Sequence, residues 1–260
     1  MLQQEISWQQ KLLMLINSGW VEEAQKISSP NFNDRPKDVT INLVVIHCIS
    51  LPPGKYGSND IDNFFQNNLD VTKHEYFKSI ASLKVSSHFL IQRTGNLKQY
   101  VSTEKRAWHA GVSKYGDQEN CNDFSIGIEL EGTENSEYEK LQYLTLIKLI
   151  HALMNEYPSI TRESIVGHSD IAPLRKKDPG EKFPWKILSK KKICLWHKIN
   201  NINYKKSRGL KINENDFYYL LNKFGYKFSK KKNDRIKVLK NFQRRFRPQL
   251  INGVLDKECY

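Results

Sequence analysis

Residues 43–48, LVVIHC, leave few choices for the fold. A continuous apolar run rich in β-branched residues reads as a strand covered on both faces, and such a strand belongs inside an α/β sheet. A second strand is legible at residues 125–131, SIGIELE, where Ile126, Ile128 and Leu130 alternate with Gly127, Glu129 and Glu131. On that alternation Glu131 is expected to be solvated. Residues 85–92 and 97–101 flank a Thr94-Gly95-Asn96 turn and predict a hairpin. Residues 138–157 carry Leu141, Leu144, Ile147, Leu149, Ile150 and Leu153 near a helical period and stop before Pro158. Residues 61–65 suggest a helical turn and residues 165–166 a short strand. Residues 1–27 read as a helical segment with an apolar side at Leu12, Leu13, Leu15 and Ile16, residues 1–13 being an extension if Met14 is the start. Strands and helices alternate irregularly around one hairpin. That predicts a mixed central β-sheet flanked by helices rather than a doubly wound parallel sheet.

Charge divides the chain. Residues 1–181 hold 19 Lys+Arg against 23 Asp+Glu, and residues 182–260 hold 22 against 5, so the formal +13 belongs to the tail. A segment of this kind either contacts an anionic polymer or is a lysine-rich solvated face. Specific nucleic-acid binding is not expected, because the interleaved aromatic platform of single-strand binders is missing. The division follows: a main domain at 28–189, a linker at 190–210 partly anchored by Ile193, Leu195 and Trp196, and a small helical domain at 211–260. Its helices fall at 215–224 and 235–246. About fifty residues bury little core of their own, so this unit is expected to dock onto the first. Cys48, Cys121, Cys194 and Cys259 are scattered with no CxxC pair, which predicts reduced thiols and a cytoplasmic protein. No run reaches membrane-spanning length, and no secretory leader is read near the start.

The chemistry concentrates at residues 167–180, GHSDIAPLRKKDPG. This proline-containing loop is poor core but a good frame for ligands, and it offers His168 and Asp178. A third ligand is available at His47, near the carboxyl end of the first strand. A catalytic zinc site keeps three protein ligands and an open position. Each residue also has a plainer reading. A histidine at a strand end is more commonly a satisfied core residue, Asp before Pro is a common turn former, and Lys176 sits between Arg175 and Lys177 in a basic loop.

Taken together, five stretches resemble the zinc-dependent N-acetylmuramoyl-L-alanine amidases, most closely the AmpD type that cleaves 1,6-anhydro-muropeptides. They are GWVEEAQKISSPNFNDRP, LVVIHCISLPPGKYG, KRAWHAGVSKYG, CNDFSIGIELEGT and the loop above, in order from Gly19 to Gly180. The resemblance implies a mixed sheet flanked by helices and one Zn²⁺ per chain, held by His47, His168 and Asp178. It implies Glu129 as the catalytic glutamate and Lys176 as the catalytic lysine. Trp108 would offer a surface for sugar or peptide, Lys84 and Arg175 would meet substrate carboxylates, and His88 and His109 would line or order the cleft. The expected reaction is hydrolysis of the amide between the lactyl group of muramic acid and L-alanine, in cell-wall recycling.

The chain departs from the family in three places. Cys48 follows the first ligand where Asn is common, Asn120 stands where Arg is expected, and Lys84 replaces Arg. A lysine is a point charge rather than a bidentate fork, which loosens carboxylate recognition. FPWKILSKKKICLWH and KNFQRRFRPQLINGVLD resemble the region after the catalytic core of AmiD-type murein amidases, which ends in a small peptidoglycan-binding domain. Two alternatives remain open at this point: an envelope amidase acting on intact peptidoglycan, and a non-catalytic binder of its fragments.

Overall fold

A computed structural model describes residues 14–197 and 211–260. Its first elements are three two-residue strands, β1 (Ile16–Asn17), β2 (Trp20–Val21) and β3 (Gln25–Lys26), followed by β4 (Phe32–Asn33). The helical segment expected at 1–27 is therefore wrong for its described part, and residues 1–13 lie outside the described residues. The cause is the turn. Ser18 and Gly19 both have positive φ, 50° and 75°, which is the geometry of a two-residue hairpin connection. A Cβ on Gly19 would lie 2.1 Å from Ser102 Oγ, so only glycine fits there.

The chain continues with β5 (Leu43–Ile49), α1 (Asp60–Phe65), α2 (Glu75–Ile80), β6 (Phe89–Ile91), β7 (Leu97–Gln99) and β8 (Arg106–Ala107). Next come β9 (Lys114–Tyr115), β10 (Gln118–Glu119), β11 (Ser125–Glu131), α3 (Lys140–Glu156) and β12 (Ile165–Gly167). Helices α4 (His168–Ile171) and α5 (Trp185–Lys190) complete the first unit. The main sheet has the order β12-β5-β11-β6-β7-β3. Strands β12, β5, β11 and β6 run parallel, β6 and β7 form the antiparallel hairpin, and β3 adds parallel to β7. A mixed sheet is what the irregular alternation of strands and helices predicts.

Both faces of β5 are covered, as its unbroken apolar run requires. Val44 and Ile46 join Ile126, Ile128 and Leu130 on one face, packed against Leu146, Leu149, Ile150 and Leu153 of α3. Leu43 and Val45 join Ala110, Cys121, Phe124, Val166 and Ile171 on the other. Helix α3 keeps Leu141 and Leu144 exposed, so its buried stripe is narrower than its apolar count. Glu131 is buried, not solvated: it accepts the Gly57 and Arg93 amides at 2.5 and 3.1 Å, pinning the loop after β5.

Residues 190–197 are not a free linker. Ile193 and Cys194 are fully buried in the main core with Trp185 and Leu188. The flanking lysines dominate the local composition, but they point outward while these two side chains point in. The rest of that expected linker, 198–210, lies outside the described residues. The tail forms α6 (Glu214–Lys223) and α7 (Lys232–Phe246), packed around Phe217, Tyr218, Leu221, Tyr226, Val238 and Leu239. It docks on the first unit through Tyr226, Asn241 and Arg245.

Candidate active site

Parallel strands deliver their side chains to one end of a sheet, and a cleft of about 540 Å³ lies at the carboxyl ends of β5, β11 and β12. His47 and Glu129 are register partners on neighbouring strands, so they stand side by side. Gly167 pairs with Ile46, which makes the next residue, His168, open α4 beside His47. The chain then turns, with the Arg175 and Lys176 amides donating to Ala172 O at 3.1 and 3.0 Å. The Ser169 amide donates to Asp178 O at 2.9 Å and brings Asp178 back against His168.

Three ligand-type atoms converge. His47 Nδ1 and His168 Nδ1 are 2.9 Å apart, and Asp178 Oδ2 lies 3.1 Å from His168 Nδ1 and 3.4 Å from His47 Nδ1. The outer nitrogens decide where the protons are. His168 Nε2 donates to Ala110 O at 3.0 Å. Ser125 Oγ donates to Cys121 O at 2.5 Å and so accepts from His109 Nε2 at 3.3 Å. His109 Nδ1 is then free to accept from His47 Nε2 at 2.9 Å. With both rings neutral, the two inner Nδ1 atoms carry the lone pairs. In that state, with Asp178 ionised, three electron-pair donors face one another, and a cation between them would offset the cost of burying them together. Ligand bonds of about 2.0–2.1 Å in a tetrahedron place the ligand atoms about 3.3–3.4 Å apart, so the observed triangle suits a zinc-sized ion.

Burial first, and then the neighbouring His168, push His47 down to about 4 from its ordinary 6.5. Burial and the adjacent His47 hold His109 well below the usual imidazole range, so it stays neutral with a single ring proton. Burial alone would raise Asp178, but His168 and His47 outweigh it and hold the carboxyl below the usual range. Glu129 behaves oppositely. Burial and then Asp178 push its carboxyl well above 4.5 against the pull of Lys176, and its Oε2 is buried with no hydrogen-bond partner. Burial, then Asp178 and Glu129, push the Cys48 thiol up, which keeps it from competing as a thiolate ligand.

A model of the family described as N-acetylmuramoyl-L-alanine amidase matches residues 37–181, which span every group just described. The chain belongs to the N-acetylmuramoyl-L-alanine amidase family. It is 50% identical over 172 residues to the 1,6-anhydro-N-acetylmuramyl-L-alanine amidase AmpD of Citrobacter freundii, covering 66% of this chain and 91% of that one. A crystal structure of an AmpD derivative superposes with a TM-score of 0.67 at 48% identity, covering 68% of this chain and 99% of its own. AmiD from E. coli, solved with anhydro-N-acetylmuramic acid-L-Ala-D-gamma-Glu-L-Lys, superposes with a TM-score of 0.65 at 26% identity. It covers 95% of this chain and 93% of its own, so the amidase's tail also falls within that likeness.

Within the amidase cleft lie His47, Glu129, His168, Lys176 and Asp178, with Trp108 and His109 along its lining. Trp108 Nε1 donates to Asn33 Oδ1 at 2.7 Å, which fixes the plane of the indole. Of the other three expected binding residues, His88 takes the ordering role that was one of its two expected ones, while Lys84 and Arg175 are employed differently. His88 is fully buried, accepts the Gly127 amide on Nδ1 at 3.0 Å and directs Nε2 at Lys105 O. It orders the sheet beneath His109 instead of facing the cleft. Lys84 is exposed and is not part of the cleft lining, to which its neighbours Leu83 and Val85 belong. Arg175 borders the cleft, but its guanidinium donates to the Ala110 and Val112 carbonyls, so it clamps that loop rather than offering a free fork.

Sequence reasoning passed over Asn33, Ser125 and Gly127. Gly127 carried a readable signal, since glycine inside a strand often marks a close approach. A Cβ there would lie 2.4 Å from His109 Cγ, so the glycine makes room for the imidazole that holds His47. The other two reach the site through Trp108 and His109, 75 and 16 positions away.

Proposed function

We propose that this amidase is zinc-dependent and hydrolyses the amide between the lactyl group of 1,6-anhydro-N-acetylmuramic acid and L-alanine, as a cytoplasmic step in recycling muropeptides. The observation that carries this reading is the meeting of three ligand-type atoms with the buried, unpartnered Oε2 of Glu129 at the carboxyl ends of β5, β11 and β12. His47, His168 and Asp178 would hold the ion. Bound zinc supplies a Lewis acid for the amide carbonyl and for water.

The remaining work falls to the chain. Glu129 takes a proton from the attacking water and delivers one to the departing L-alanine amine; its raised pKa and free Oε2 suit both roles. Lys176, half-buried in the cleft lining, brings a cation to the carbonyl oxygen as negative charge develops. Trp108 holds the substrate against an apolar wall that includes Tyr76 and Leu83, and His109 orients His47. The likeness to AmpD supports the anhydro substrate, and four unpaired cysteines suit a reducing compartment.

A second reading rests on one observation, the AmiD likeness that extends over 95% of the chain. On it the enzyme is an envelope amidase whose basic tail meets intact, anionic peptidoglycan. Mass analysis of products from soluble anhydro- and non-anhydro-muropeptides and from purified sacculi, with and without chelator, separates the two. Chelator-sensitive release of free peptide from the anhydro substrate is expected. Faster release from sacculi refutes the recycling reading.

A further inference from the structure

The tail turns three buried polar side chains toward the loop that carries His168, Lys176 and Asp178. Asn241, only 3% exposed on α7, donates through Nδ2 to Pro173 O at 2.7 Å and to Lys176 O at 3.2 Å. Arg245, one turn further along, pairs with Asp170 and donates to Ile165 O at 3.0 Å, its guanidinium lying 4.2 Å from the Trp185 ring centre. The Tyr226 hydroxyl donates to the other oxygen of Asp170. Asp170 in turn accepts the Gly167 amide at 2.7 Å, immediately before His168. All three tail residues lie outside the 37–181 span of the family match.

These contacts are placed selectively. Arg245 and Tyr226 grip the segment entering the first loop ligand, while Asn241 bonds to the carbonyl of Lys176 itself. No amide of the loop's own meets the Pro173 or Lys176 carbonyl; the loop's internal bonds end on His168 O, Ala172 O, Lys177 O and Asp178 O. The backbone from which the lysine side chain springs is therefore held at its amide by Ala172 O and at its carbonyl by α7.

We propose that the tail is part of the catalytic apparatus and that Asn241 is a positioning residue for Lys176. The single amide group of Asn241 bridges two carbonyls of the turn and sets where the Lys176 ammonium stands over the scissile carbonyl. This rests on the reading above that Lys176 acts at that carbonyl. A misplacement near 1 Å at a reacting group can cost about a hundredfold in rate, so a loosened turn is expected to lower kcat by about tenfold or more.

The experiment is a double-mutant cycle in the full chain with Asn241→Ala, Lys176→Ala and both, reading kcat and KM on anhydro-muropeptide at one zinc per chain. Asn241→Leu, which fills the space without a donor, and Asn241→Ser, which keeps a smaller one, accompany it with melting curves, and any folded variant can carry the cycle. The expected result is a loss of kcat with little change in KM for Asn241→Ala, and no further loss when it is added to Lys176→Ala. Wild-type kcat in Asn241→Ala overturns the proposal. So does a double variant slowed by the product of the two effects, since Asn241 then acts through the fold at large. Wild-type kcat in Lys176→Ala overturns the role of the lysine first, and the two failures are thereby distinguished.

Discussion

Replacing His109 with Phe keeps a ring against Gly127 but removes the acceptor for His47 Nε2. In the native site the 2.9 Å bond between these rings holds the His47 proton on Nε2 and leaves the Nδ1 lone pair facing His168 and Asp178. Without it, His47 gains by placing the proton on Nδ1, where Asp178 Oδ2 at 3.4 Å can accept it. Zinc must then displace that proton, and a buried Nε2–H is left unpartnered in the bound form, a penalty of about 1–3 kcal/mol. Loss of an outer partner of a metal-bound histidine weakens affinity by about 10–100-fold, or roughly 1.4–2.7 kcal/mol, which agrees with that penalty. Competition against a chromophoric chelator measures the change directly in the full chain. His109→Phe should raise the zinc Kd within that range, and Ser125→Ala, which removes the weaker 3.3 Å bond behind His109, should raise it less. A Kd within about twofold of wild type in His109→Phe would show that the tautomer is set otherwise, and the proton assignment would fall.

Gly127→Ala tests the same assembly from beneath: its Cβ would press the His109 ring, so zinc affinity should drop in the same direction, measured by the same titration. Glu129→Gln should keep one zinc per chain by metal analysis while kcat falls about 10²–10⁴-fold, and retained turnover would remove Glu129 as the base. Acid should destabilise the fold through His88. Burial, then Arg35, hold it at about 3 against 6.5 when unfolded, so its stabilisation is full above 6.5 and declines as pH falls from 6.5 toward 3. The limiting slope is about 1.4 kcal/mol per pH unit, measurable by urea titration and reduced in His88→Gln. Arg245→Met should cost about 3–5 kcal/mol of stability, because it leaves Asp170 buried and unpaired; a cost under about 1 kcal/mol would show that the pair contributes little.

Much of this was readable before folding. The unbroken run at 43–48 requires cover on both faces, and the alternation at 125–131 puts Gly127 and Glu129 on one face; both patterns are local and survive as β5 and β11. The resemblance, carried over residue by residue, named the five residues that meet in the cleft. Its assignments for Lys84 and Arg175 fared differently, and for His88 only the ordering role held, because what a side chain contacts depends on partners such as Gly127, Lys105 and the 110–112 loop. The first strands were missed because two residues of positive φ at 18–19 reverse the chain before a helix can form, and that is a property of the turn, not of the leucines before it.

The sequence by itself determined which chemistry was possible: a histidine ending a buried strand, a carboxylate on the adjoining one, and a loop with His168, Lys176 and Asp178 in fixed order. Tertiary structure alone decided that this chemistry is assembled. The β5–β11 register sets His47 against Glu129, and the chain from Cys121 through Ser125 and His109 to His47 orients a ring by bonds between residues up to 62 positions apart in the numbering. Only docking revealed that α7 reaches back to Lys176. Hydrogen bonds are short-ranged and directional, so no local pattern can declare a partner that folding has yet to bring within 3 Å.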